Sequence, residues 1–144
     1  MGLDMDVLAV PAEDAIDSFH FRGENLLGEV EPEHLEENGI ILFHYWSKDY
    51  PVYSWMMWMA GKKGLSNADD LDDGFMRLDI VDIKRLRMDI LMNNIFMDKT
   101  KASNGFNQRE YVMTRKVPDV EFCDRAEKYL EENPDKALYV FFSW

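Results

Sequence analysis

One histidine in this sequence lies where an acid–base catalyst could be tuned by its surroundings. His44 falls inside the apolar segment Ile40–Trp46, directly before Tyr45 and Trp46. Burial shifts the pKa of an imidazole, and a neighbouring Asp or Tyr could orient the ring for general base catalysis. The segment therefore offers one hypothesis, a small hydrolase that uses His44 with a nearby Asp or Tyr. The alternative is that His44 is a hydrogen-bonded residue of the core or of a strand edge.

A run of acids between residues 69 and 74 has the composition of a calcium loop but not its ligand spacing. With Asp69 first and Gly74 sixth, Leu71 occupies the third ligand position and Ile80 the position of the bidentate glutamate. A solvated turn is therefore the preferred interpretation, and cation binding is the alternative. The acids that would serve as ligands are Asp69, Asp70, Asp72 and Asp73.

The remaining residues indicate no cofactor. The three histidines have no partner at metal-ligand spacing, and the single cysteine, Cys123, lies on the apolar stripe of a helix. The eight glycines do not form the turn between a strand and a helix that nucleotide phosphates need. We therefore predict no cofactor and no kinase or dehydrogenase chemistry.

Aromatic residues and methionines are concentrated between residues 45 and 59. The simplest interpretation is a buried strand and helix, because a helix that is apolar on every side normally lies in the core. If one face is exposed instead, Trp, Tyr and Met are residues suited to protein interfaces. The interaction candidates are four aromatic residues and four acids: Trp46, Tyr53, Trp55, Trp58, Glu31, Glu33, Glu36 and Glu37.

The net charge of −12 is unevenly distributed along the chain. Residues 1–60 carry 12 acids and 2 bases, residues 61–118 carry 9 acids and 11 bases, and residues 119–144 carry 7 acids and 3 bases. Because binding to a phosphate backbone needs clustered Lys and Arg, we predict no direct nucleic-acid binding. An acidic field suits solubility, a basic protein partner, or imitation of DNA by the acids at 13–37.

Hydrophobic periodicity predicts four strands. Gly2–Val10 and Phe75–Val81 alternate between apolar and polar residues, which indicates strands with one wet face. Ile40–Trp46 is apolar on both faces, which favours a strand that is covered on both sides or is central in a sheet. Ala137–Trp144 is dense in β-branched and aromatic residues, which favours a central strand. Residues 11–38 are polar and carry Gly and Pro, so they are predicted to be a long excursion with about one turn of helix near its end.

Three segments combine helical spacing of apolar residues with an acidic N-cap. They are Tyr50–Ala60 after Asp49, Ile83–Asn93 after Asp82, and Val120–Glu132 after Asp119. Tyr111–Thr114 is predicted to be a short strand. The chain as a whole, residues 1–144, is therefore predicted to be a single α+β domain with a three- or four-stranded mixed sheet and about three helices.

These segments together resemble a family of small proteins found mainly in phages and prophages. Its members open with Met-Gly-Leu-Asp-Met, as at 1–5 here, and carry Tyr-Trp-x-Lys, as at 45–48, before a helix with a Trp-Met pair, as at 55–56. They close in an aromatic strand ending Ser-Trp-Trp, matched at 142–144 by Phe-Ser-Trp, with one Trp fewer. Members are sometimes labelled phosphoglycerate kinase, a label that the short chain and the missing phosphate loops exclude.

The resemblance and the residues together favour a phage or prophage accessory protein that binds a host or phage protein and is not a catalyst. DNA mimicry directed at a defence enzyme is one form of this hypothesis, and a second copy of the chain is a further candidate partner. We predict a cytoplasmic protein without a membrane partner, for three reasons. The chain has a lone cysteine, its N-terminus is acidic and has no signal pattern, and its apolar runs are too short for a membrane span.

Overall fold

In the part of the chain that the structure describes, four strands form one antiparallel sheet with the first and last of them at its centre. The strands are β1, Asp4–Pro11; β2, Ile41–Ser47; β3, Phe75–Leu78; and β4, Lys136–Ser143. Their order across the sheet is β2-β1-β4-β3, and every neighbouring pair is antiparallel. The computed structural model describes residues 3–27, 32–65, 67, 71–96 and 108–143, without the side chains of 32, 33 and 96.

Five α-helices accompany the sheet in the described part of the chain. They are α1, Pro32–Glu37; α2, Tyr50–Lys62; α3, Ile80–Leu91; α4, Gln108–Thr114; and α5, Lys116–Glu132. Helix α2 begins where the sequence predicts, because the Asp49 side chain accepts a hydrogen bond from Val52 N and Pro51 lies in the first turn. None of the helices in the described ranges is long and apolar enough to cross a membrane.

Helices α2, α3 and α5 cover one face of the sheet, here called the first face. Met5, Val7 and Ala9 of β1 belong to the same buried cluster as residues of these helices. Helices α3 and α5 lie side by side and are bridged by Arg87 with Asp124, at 2.7 Å, and by Lys84 with Glu127, at 3.6 Å. The hydrophobic cluster on the first face is larger than the cluster on the opposite face.

Two tryptophans attach the helices to one another and to the sheet through buried carboxylates. Trp46 of β2 donates from Nε1 to Oδ1 of Asp119 on α5 at 2.9 Å. Trp55 of α2 donates from Nε1 to Oδ2 of Asp89 on α3 at 2.8 Å. Because an indole N–H needs an acceptor when it is buried, each carboxylate fixes the position of one helix.

Residues 12–27 cover part of the opposite face of the sheet, here called the second face. The Oη atom of Tyr139, on β4, lies 2.7 Å from the carbonyl oxygen of Asp17 and 2.9 Å from that of His20. Phe21 packs edge-on against Phe75 of β3, with ring centroids 5.0 Å apart. The excursion between β1 and α1 is therefore held on the sheet by a hydrogen-bonded tyrosine and an aromatic pair.

The α+β class is confirmed, whereas the sheet differs from the prediction. It is antiparallel throughout and not mixed. The prediction that Ala137–Trp144 forms a central strand is confirmed by β4. Ile40–Trp46 instead forms the edge strand β2, so the prediction of a central strand at that segment is wrong. On β2, the side chain of Leu42 is 61% exposed and that of Tyr45 is 50% exposed. Their apolar character therefore reflects an exposed edge and not burial on both sides.

The helices also depart from the predicted boundaries and number. About three were expected, and Tyr111–Thr114, predicted as a strand, is helical and belongs to α4. Helix α3 begins at Ile80 with Asp79 as its N-cap, so Asp82 is not the cap. Helix α5 begins at Lys116, which places Asp119 inside its first turn, where tertiary partners use the carboxylate.

Replacing Asp79 by alanine is expected to lower the free energy of unfolding by about 1 kcal/mol, the usual cost of losing an N-cap. Asp79 Oδ1 accepts from Asp82 N at 2.8 Å, and Asp82 Oδ2 accepts from Asp79 N at 3.0 Å, so the two carboxylates cap α3 reciprocally. Urea unfolding followed by circular dichroism measures the change. Asp72→Ala, in an exposed turn, is the matched control, and equal losses in both variants would contradict the capping role.

Candidate functional site

A row of four side chains crosses the second face of the sheet where its cover by residues 12–27 ends. The strand register places Tyr45 of β2 opposite Asp6 of β1, Asp6 opposite Phe141 of β4, and Phe141 opposite Phe75 of β3. Directly paired residues of neighbouring strands lie on the same face. The rings of Phe75 and Phe141 have centroids 4.9 Å apart and form an aromatic floor.

A cleft with a volume of about 970 Å³ lies over this floor. Residues 19–27 form one wall, and the turn before β3 forms another. The side chains that give the cleft its character are acidic and aromatic, with one histidine: Asp6, Phe19, His20, Glu24, Asp73 and Phe141. The cleft therefore combines an apolar base with three carboxylates.

The described residues that line the cleft include three carboxylates and one histidine but no Lys or Arg. Burial, and secondarily the negative charge of Asp4, raises the pKa of Asp6. His20 Nδ1 lies 3.1 Å from Glu24 Oε1, and Tyr45 donates to Asp4 Oδ1 at 2.7 Å beside the cleft. A cation placed next to Asp6 would offset the cost of its desolvation, because an opposite charge favours the ionised carboxylate.

The arrangement suits recognition of an organic cation. A guanidinium or alkylammonium group forms short charge-assisted hydrogen bonds with carboxylates, and it is attracted to the faces of aromatic rings. The described residues that line the cleft include no Ser, Thr, Cys or Lys that could act as a nucleophile. In the described ranges, no group of three or more His, Cys, Asp or Glu side chains is placed to hold a metal ion.

His44 lies away from this cleft, against α5. Arg125 Nη2 donates to His44 Nδ1 at 2.8 Å, so the proton of the neutral ring is on Nε2, which is buried without a hydrogen-bond partner. Burial and the charge of Arg125 lower the pKa of His44 to about 4. The ring packs against Trp46 and Phe122, with centroids 4.6 Å from each. His44 thus has an arginine on Nδ1 where the hydrolase hypothesis expects an orienting Asp or Tyr.

The acidic loop is only partly within the described chain. Asp69 and Asp70 lie outside the described residues, whereas Asp72 and Asp73 are exposed. Asp73 lines the cleft and adds a carboxylate to it.

The aromatic interaction candidates divide into core and surface. Trp46, Tyr53 and Trp55 are buried, the last completely, so the prediction of a docking role for these three is wrong for the folded chain. Trp58 is half-buried and remains partly accessible. The prediction that Cys123 is a buried apolar residue is confirmed, and burial raises the pKa of its thiol to about 12.

The acidic interaction candidates lie on or near α1. Glu36 and Glu37 are exposed on this helix, while Glu31 and the side chain of Glu33 lie outside the described part of the structure. These two carboxylates therefore lie at the surface, as expected from the acidic composition of residues 1–60.

Sequence reasoning missed the cleft residues Asp6, His20 and Glu24. The alternation of β1 places Asp4 and Asp6 on its polar side, but it does not indicate which residues of the neighbouring strands pair with them. His20 and Glu24 are four residues apart, but residues 20–23 are not helical, so this spacing gives no local signal for the pair. Their approach to Asp6 depends on the fold of residues 12–27 over the sheet.

A second group of carboxyls is buried on the first face, beside Tyr111. Asp119, 2% exposed, accepts from Trp46 on Oδ1 and from Tyr111 Oη on Oδ2, the latter at 2.6 Å. Asp49 is fully buried beside Asp119, and its Oδ2 atom has no hydrogen-bond donor among the described residues. Burial, and secondarily Asp119, raises the pKa of Asp49 well above its usual range, which favours a proton on the Asp49 carboxyl.

Comparison of the chain with models of protein families, with curated proteins and with solved structures found no match.

Proposed function

We propose that this chain is an accessory protein of a phage or prophage that acts by binding a host or phage protein, and that the cleft accepts a basic side chain of that partner. The observation that carries the proposal is the row Asp6, Phe141 and Phe75, which places a half-buried carboxyl beside an aromatic floor. Charged groups at the core of an interface contribute most when they are paired and shielded from water.

The chemistry of the cleft supports a partner protein with an exposed Arg or Lys. The acidic surface of residues 1–60 adds long-range attraction, which raises the rate of association with a basic partner. A host enzyme that binds DNA has such a basic surface, so inhibition by competition with DNA is one form of the proposal. Self-association of the chain is another, and a sizing column separates the two.

A labelled peptide of alternating arginine and glycine is expected to bind the cleft, and the double variant Asp6→Asn, Glu24→Gln to bind it about tenfold more weakly, or by about 1.4 kcal/mol. Fluorescence anisotropy at low salt measures the affinity, and amide NMR shifts locate the site. Because burial raises the pKa of Asp6, affinity for the wild-type chain should also fall as the pH decreases through that pKa. Replacing a half-buried carboxylate by an amide removes the free-energy cost of burying its charge, so the double variant should remain folded.

The control is a double variant that removes the same number of charges elsewhere, Glu121→Gln with Glu131→Gln on the exposed side of α5. It should bind the peptide nearly as well as the wild-type chain. Equal weakening in both double variants would show attraction to net charge alone and would refute binding in the cleft.

A further inference from the structure

A second surface, on the helix-covered side of the molecule, has the opposite chemical character from the cleft. Val81, Arg85, Met88 and Met92 follow one another along α3 and its C-cap at spacings of four, three and four residues, which places them on one stripe of the helix. Val81, Met88 and Met92 are 69%, 56% and 63% exposed. The stripe is therefore apolar and faces solvent.

Trp58 of α2 extends this stripe with an aromatic ring that has two cations close to it. Lys62 Nζ lies 4.8 Å from the centroid of the ring, and the guanidinium carbon of Arg85 lies 5.2 Å from it. Arg85 is kept in place because its Nε donates to Oδ2 of the buried Asp89 at 3.1 Å. We define the α2–α3 surface as Trp58, Lys62, Val81, Arg85, Met88 and Met92.

The composition of the α2–α3 surface is that of an interface. Trp, Met and Arg are enriched at the centres of protein interfaces, and Met adapts its shape to a partner. Two cations border the apolar stripe, in the one part of the chain, residues 61–118, where bases outnumber acids. An amphipathic helix with Leu or Ile on one side and Glu or Asp beside it complements this pattern in both charge and shape.

We infer that the α2–α3 surface is a docking site for an acidic amphipathic helix of a partner protein. A second copy of the chain fits less well, because a two-fold contact of this surface with itself would place the cations Lys62 and Arg85 of both copies in one interface. Helices α2 and α3 cover the first face and the cleft opens on the second, so the inference is independent of the proposed function.

The test uses two synthetic peptides of about 20 residues, long enough to form a helix on a surface. Both carry leucine at helical spacing, and the polar positions are glutamate in one and lysine in the other. The glutamate peptide is expected to bind the full chain and to shift the NMR signals of α3, while the lysine peptide leaves α3 unchanged. If the lysine peptide binds α3 equally well, or the glutamate peptide does not bind α3, the inference is overturned.

Variants of exposed residues test the site without disturbing the core. Met88→Gln with Met92→Gln should weaken the glutamate peptide by about tenfold, because exposed substitutions rarely affect folding but remove the apolar contact. Met113→Gln on α4, also exposed, is the matched control and should bind normally. Unchanged binding by the double variant, or a dimer of the wild-type chain that this variant disperses, would reject the acidic helix as occupant.

Discussion

Asp119→Ala is expected to lower the free energy of unfolding by roughly 4 kcal/mol, because each buried donor left without an acceptor costs about 1–3 kcal/mol. The variant leaves Trp46 Nε1 and Tyr111 Oη as such donors in the interior, and it also removes the carboxyl beside the buried Asp49. These bonds attach α5 to β2 and to α4, so their loss affects both sides of the helix. Since a domain of this size has a stability of about 5–15 kcal/mol, the variant should unfold at much lower urea concentration.

Two further variants separate the buried network from a general effect on α5. Tyr111→Phe removes one donor, so Asp119→Ala should cost less in a Tyr111→Phe background than in the wild-type chain, by about 1 kcal/mol or more. Asp124→Ala, which breaks only the exposed ion pair with Arg87, should cost less than about 1 kcal/mol. Additive losses for Asp119 and Tyr111, or equal losses at 119 and 124, would contradict the network.

The secondary structure was largely predictable because it depends on local spacing. The alternation of β1, the apolar run of β4 and the Asp49 cap of α2 each act over a few residues, and each gave the right element. Tyr111–Thr114 was misread as a strand because Tyr, Val and Thr favour strands by propensity, whereas packing of Tyr111 against Asp119 selects a helix. Tertiary contacts overrode the local preference at that point.

The role of a polar residue was much less predictable than its element. Asp119 has the sequence position of a helix cap, but its partner Trp46 is 73 residues away, and no local pattern indicates that contact. The cleft has the same origin. Asp6 meets Phe141 through the register of β1 with β4. Glu24 reaches the cleft because Tyr139 and the Phe21–Phe75 pair hold residues 12–27 on the sheet.

The buried acid Asp49 makes the stability of the fold depend on pH. Its Oδ1 accepts from Val52 N at 3.2 Å, while its Oδ2 is buried and has no donor to accept from. A proton on Oδ2 allows it to donate to Asp119, which satisfies both carboxyls. Burial, then the hydrogen bond and charge of Asp119, raise the pKa of Asp49, so the folded state keeps a proton that the unfolded chain releases above about its ordinary pKa of 3.8.

Asp49→Asn is therefore expected to make the protein more stable than the wild-type chain at neutral pH. In the wild-type chain, stability falls as the pH rises from the unfolded pKa to the folded pKa of Asp49, with a slope of about 1.4 kcal/mol per pH unit for one proton. The asparagine donates from Nδ2 to Asp119 at every pH and keeps the cap on Val52, so it should remove this slope. Urea unfolding of both chains between about pH 4 and pH 8 measures the difference in slope directly. Asp72→Asn, at an exposed position, should follow the wild-type curve, and an Asp49→Asn curve parallel to the wild-type curve across that range would show that Asp49 is ionised in the folded protein.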